Sequence, residues 1–242
     1  TANNANIAPA TLDFVHHVRQ RVATVVVGQE DVVERLLIAL FTGGLPGSGK
    51  SYSLKKGQRA DRLKSVVWEL GDPNPPKVPE GFTLYVAVNS DYVKEFMAER
   101  GFNTGIEGLK PMEEASFMHS ESTFVGERLE AELAQLGYNI AFDGTMGDER
   151  VVRAKLAMID EQGYAKPKAV FANITLAESA ASAATRYRKK ANTPLGGRFV
   201  PSSVAKDNSS RMGNLSMNAD NMNFLISEGL FDEAIIIDNR GV

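Results

Sequence analysis

The stretch 41-FTGGLPGSGKSYSL-54 decides the fold. Gly44, Gly49, Lys50 and Ser51 satisfy the spacing G-x-x-x-x-G-K-[ST]. In that pattern glycines let backbone N–H groups converge on an anion, the lysine meets the β and γ phosphates and the hydroxyl ligates Mg²⁺. Chance alone matches these four positions in about one chain in a hundred of this length. An apolar run, Leu36 to Phe41, enters the motif and predicts a buried strand feeding a phosphate loop. The expected nucleotide-binding residues are therefore Gly44, Gly47, Ser48, Gly49, Lys50 and Ser51, with ATP or GTP as the ligand and Mg²⁺ on Ser51.

Outward from this loop, the chain alternates strand and helix signals. TLYVAV (83–88) reads as a strand running into a helix capped at Asn89 or Ser90 and stopped by Gly101. Phe124, Leu129, Leu133 and Leu136 stripe a helix closed by Gly137, after which YNIAFDGT reads as a short strand ending at Asp143. Val152, Leu156 and Ile159 mark the next helix, followed by the strand KAVFANI. Thr175 and Glu178 form a capping box that opens the helix carrying Arg186. Residues 191–215, rich in Gly, Ser, Asn and Pro, predict a loop or lid, and the chain closes with a helix around Met222 to Ile226 and the strand EAIIID. Such alternation implies an α/β fold of phosphate-loop NTPase type, three layers deep, with a mostly parallel sheet. Residues 1–35 read as an N-terminal helical segment and residues 36–242 as one domain with a proline-rich insertion around 64–80.

Composition narrows the function classes. The 242 residues carry a net charge of −3 and no cysteine. This removes disulfides and thiolate chemistry, makes a nucleic-acid partner unexpected and fits a cytoplasmic protein. No apolar run approaches the roughly 20 residues needed to span a bilayer.

Two resemblances refine this reading. RVATVVVGQEDVVERLLIAL (21–40) is similar to the opening of MoxR-type AAA+ ATPases, and that likeness ends near residue 40. From the phosphate loop onward the chain resembles the zeta-toxin-type kinases. The likeness is carried by TGGLPGSGKS, VNSDYVKEF, YNIAFDGTM, TRYRKKA, GGRFVP and SEGLFDEAIIIDNRGV in that order. The resemblance implies phosphoryl transfer from ATP or GTP to a hydroxyl of a small molecule, a nucleotide sugar such as UDP-N-acetylglucosamine first among them, and an antitoxin partner.

Roles then follow residue by residue from the resemblance. Asp91 matches the acidic base, Arg186 and Arg198 the phosphate-gripping arginines, Asp143 and Thr145 the acid-Gly-Thr strand end that contacts substrate. Glu121 is a further candidate for the acceptor pocket. The type members carry Glu where this chain has Asp143, and Asp91 follows Lys50 at a longer interval than theirs. A polynucleotide or nucleoside kinase, served by the basic cluster 186–190, and a nucleotide-binding AAA+-like assembly module are the alternative readings.

Overall fold

The structure, a computed structural model, describes residues 37–50, 64–101, 106–197, 200 and 208–241, and only the backbone of Asp91, Ala115 and Ser116. The segment 1–35, Ser51 and Arg198 lie outside the described residues.

Six strands form one sheet: β1 (Ala39–Gly43), β2 (Ser65–Glu69), β3 (Thr83–Val88), β4 (Ile140–Asp143), β5 (Lys168–Asn173) and β6 (Glu233–Asp238). Their order is β2-β3-β4-β1-β5-β6 and every neighbouring pair is parallel. The α-helices among the described residues are α1 (Ser90–Glu99), α2 (Pro111–Ala115), α3 (His119–Gln135), α4 (Glu149–Glu161), α5 (Leu176–Ala191) and α6 (Met217–Ser227). The α/β class with its parallel sheet is as expected. None of the described helices is long and apolar enough to cross a membrane.

The central strands are buried on both faces, so they read as continuous apolar runs. Period-two alternation divides their side chains between two cores. Phe41, Val88, Ile140, Phe142 and Phe171 join Leu129 and Leu133 of α3, Ile159 of α4 and Met222 and Leu225 of α6. Leu40, Tyr85, Ala87, Ala141 and Val170 pack on the other face. Burial of a large apolar side chain such as Phe41 or Phe171 contributes roughly 1.5–3 kcal/mol.

The sequence reading of residues 64–80 as one irregular excursion is corrected in part. Residues 65–69 pair with β3 in register Ser65↔Thr83 to Glu69↔Ala87. Val66, Val67 and Trp68 suit a strand, and Trp68 is buried in the larger core. The irregular stretch is 70–82.

Chain order places the site. β4 and β5 are consecutive strands, yet they flank β1 on opposite sides. The order reverses at β1, and in open parallel sheets the crevice beyond the strand C-termini at such a point is where ligands bind.

Candidate active site

β1 ends in the phosphate loop. Gly44 has φ +132°, and a Cβ there would stand 2.3 Å from the Ala172 carbonyl oxygen. Gly47 has φ +80°, and its Cβ would meet Ser182 Cβ at 2.5 Å. No side chain fits at either place, and both positions use the left-handed backbone region that glycine tolerates. Two side chains brace the loop from outside. Ser179 Oγ donates to the Pro46 carbonyl at 2.8 Å, and Asn239 Nδ2 donates to the Ser48 carbonyl at 2.7 Å.

Inside the loop, Lys50 Nζ donates to the Gly44 carbonyl at 3.0 Å. Ser48 is 2% exposed and its Oγ is buried without a hydrogen-bond partner. An orphaned hydroxyl among glycines in a loop of this shape matches the acceptor-rich surface of a phosphate.

The loop faces a cavity of about 630 Å³ lined also by the ends of β3 and β4 and by one face of α3. Asp143, the last residue of β4, sits beside the loop strand, where Thr42 Oγ1 donates to its Oδ1 at 2.8 Å. Thr145 lies two residues further along the same wall. Asp91 stands in the first turn of α1, directly after Val88, Asn89 and Ser90, which lead from the end of β3 into that helix and line the cavity. Arg186, on α5, lines the same cavity.

Helix α3 corrects one expectation. His119, Thr123, Gly126, Glu127 and Glu130 line the cavity, a spacing that keeps one helical face inward. Glu121 lies about 200° round the helix from residue 119; it is exposed and is not among the lining residues. Glu127, two turns along the helix from His119, lines the cavity instead. Phe124 and Leu136, expected on the core stripe, are 57% and 62% exposed. The predicted stripe holds at Leu129 and Leu133, which are buried, and fails at its two ends.

Behind this wall Glu130, 4% exposed, pairs with Lys155 of α4 at 2.7 Å, and the Lys155 ammonium lies 5.0 Å from the centre of the Phe142 ring. Burial pushes the Glu130 carboxyl above its ordinary value; Lys155 opposes that rise without cancelling it, and Glu127 and Asp143 add to it.

The turn after Asp143 is held from α6. Asn218 Nδ2 donates to the Thr145 carbonyl at 2.8 Å, and Asn221 Nδ2 to those of Met146 and Gly147 at 3.0 and 3.1 Å. Met146 is buried with φ +61°, a conformation that costs a non-glycine residue about 1 kcal/mol and persists only where neighbours impose it. Asp148 then caps α4 by accepting from Arg150 N. Nothing in the sequence pattern pointed to Asn218 or Asn221, because their partners are backbone groups more than 70 residues away.

Comparison with known proteins adds independent findings. A family model described as Zeta toxin matches residues 81–241, a range that begins after the phosphate loop. No curated protein matches the chain. Among solved structures, a chain from the PezAT chromosomal toxin–antitoxin system of Streptococcus pneumoniae has a TM-score of 0.60 at 14% identity, over 97% of this chain and 80% of that one. The AvrRxo1-ORF1:AvrRxo1-ORF2 complex with sulphate ions gives 0.60 at 18% identity, and the same complex with ATP gives 0.56 at 17%. This chain spans 62% of the matched AvrRxo1 chain. At such identities the likeness is one of fold.

Proposed function

This chain belongs to the zeta toxin family, and on that premise we propose that it is a kinase transferring the γ-phosphate of ATP or GTP to a hydroxyl of a small molecule. One observation carries the reading: a single cavity has a phosphate loop on one wall and, joined to it by the Thr42–Asp143 hydrogen bond, a carboxylate-bearing strand end on the other. Catalysis of this kind needs little covalent chemistry from the protein and depends on position and charge.

Gly44 to Lys50 would hold the β and γ phosphates, and Ser51 would hold Mg²⁺, which neutralises charge on the phosphate oxygens when bound. Asp91 would accept the acceptor's hydroxyl proton as that oxygen bonds to the γ-phosphorus and the bond to the β–γ bridging oxygen breaks. Arg186 and Arg198 supply planar guanidinium donors for the charge spread over the transferred group. Asp143, Thr145 and Glu127 would orient the acceptor.

By family resemblance, a nucleotide sugar such as UDP-N-acetylglucosamine is the first acceptor to test. An antitoxin is the partner the reading expects; the two fold relatives come from a toxin–antitoxin system and a two-protein complex, which supports it.

The test is incubation with γ-labelled ATP or GTP, Mg²⁺ and a panel of nucleotide sugars, nucleosides and 5′-hydroxyl oligonucleotides, with mass analysis of the products. Label on one small acceptor, lost in Asp91→Asn while nucleotide binding persists, is the expected result. Label confined to free phosphate would overturn the kinase reading, and label on oligonucleotides alone would replace the acceptor class.

A further inference from the structure

One polar pair on the acceptor wall has no part in the roles above. Lys94, on α1, is 2% exposed, and its ammonium stands 3.0 Å from Nδ1 of His119. His119 is exposed, begins α3 and lines the cavity. A lysine ammonium only donates, so Nδ1 accepts, and a neutral ring whose Nδ1 accepts carries its proton on Nε2.

His119 opens the 17-residue α3, and Glu127 and Glu130, on the same face of that helix, lie about 12 and about 16 Å further along its axis.

We propose that His119 is an acceptor-binding residue, a neutral imidazole fixed as its Nε2–H tautomer by Lys94, which donates to a hydroxyl or carbonyl oxygen of the phosphoryl acceptor. The assignment deepens the kinase reading and rests on it for its ligand. A neutral N–H serves an uncharged oxygen, such as a sugar hydroxyl or an amide carbonyl, and offers a phosphate dianion less than an imidazolium or guanidinium would.

The test has two readouts on the whole chain. Imidazole ¹⁵N correlation spectra are simple here, because the sequence holds three histidines and His119→Gln identifies the signal. The expected spectrum at neutral pH is the Nε2–H tautomer, turning into a tautomer mixture in Lys94→Met. With UDP-N-acetylglucosamine as the probe acceptor, His119→Ala should raise its KM about tenfold, the worth of one hydrogen bond, with the KM for ATP unchanged. His119→Gln, whose amide nitrogen reaches the Nε2 position, should recover most of that loss, and His119→Asn should not. An Nδ1–H or doubly protonated ring, or an acceptor KM unmoved in His119→Ala, overturns the proposal. A wild-type protein that phosphorylates nothing in the panel sinks the kinase reading instead, and the spectrum still upholds or overturns the ring assignment.

Discussion

Thr42 and Asp143 occupy paired positions on adjacent parallel strands, and the Thr42 hydroxyl donates to the Asp143 carboxylate at 2.8 Å. One strand leads into the phosphate loop and the other ends in an acid that lines the same cavity. Thr42→Val keeps the shape, removes the donor and frees the carboxylate to rotate. The expected outcome is a loss of about 1 kcal/mol in stability and about a tenfold fall in kcat, with nucleotide affinity unchanged. Steady-state kinetics with each substrate varied in turn checks this; an unaltered kcat would show that the bond has no catalytic role.

Gly47→Ala should abolish nucleotide binding. The new methyl group meets the Ser182 side chain at 2.5 Å, and the backbone there has φ +80°. Relief requires α5 and the loop to part, which opens the cradle around the phosphates. The strain of about 1–2 kcal/mol leaves the chain folded. Fluorescent nucleotide titration alongside thermal melting separates the two effects, and wild-type affinity in the variant would contradict the packing described.

Asn218→Leu should separate stability from activity. The wild-type amide makes one good bond, to the Thr145 carbonyl, while its own Oδ1 is buried without a partner. Leucine removes the bond and also the unsatisfied oxygen, two changes of opposite sign, so the net change in stability is expected within about 1 kcal/mol. The turn that aims Thr145 loses its tether, and phosphoryl transfer should fall at least about tenfold. Urea unfolding and transfer assays on the same preparation test the split, and parallel losses in both would point to a purely structural role.

Glu130 makes stability depend on pH in an unusual direction for a carboxylate. Burial raises its carboxyl above the ordinary value of 4.5 in spite of Lys155. The folded chain therefore keeps a proton that the unfolded chain releases. This group's contribution is full below that ordinary value and is lost as the pH rises through the folded one. Glu130→Gln should flatten this part of the profile, and Lys155→Met should steepen it by removing the opposing cation. Urea unfolding from about pH 4 to about pH 8 reads both. A wild-type slope of the opposite sign would mean that the ion pair outweighs the burial.

Asp220, in the first turn of α6, gives the opposite case. Burial pushes its carboxyl up, but bonds from Asn214, the Arg211 N–H and Ser210 outweigh that and hold it below 3.8. Its contribution is present above that value and vanishes as the pH falls through the lowered one. Asp220→Asn should therefore loosen residues 210–214 at neutral pH, with faster amide exchange at Arg211 and Asn214. Unchanged exchange there would show that the loop is held by other contacts.

Much of the sheet was legible because its strands are short apolar runs between glycine or polar breaks. β3, β5 and β6 lie where those runs lie, and the Thr175–Glu178 capping box is present in both directions. β1 begins at Ala39, three positions after the start of the predicted run Leu36 to Phe41. β2 was hidden because five residues between a basic segment and a run of prolines carry little periodic signal, and its edge position is fixed by pairing with β3 across the sheet. Helix α3 has Leu129 and Leu133 on its buried face as expected, while Phe124 and Leu136 resemble core residues only by type; the rest of that face is Ser122, Gly126, Glu130 and Ala134, small or polar residues that carry no apolar signal. The amide tethers from Asn218 and Asn221 had no sequence signature, because side-chain bonds to distant carbonyls depend on tertiary packing alone.

The bond from Asn239 to the Ser48 carbonyl spans 191 positions of sequence, and it has a meaning for the order of synthesis. A ribosome delivers the glycine motif long before the residue that clamps it, which follows β6 at the edge of the described sheet. Until then the nascent chain has the whole phosphate-loop sequence without its outer brace. Closure of the loop from outside therefore depends on a strand that joins the sheet only after β1 to β5 have been made.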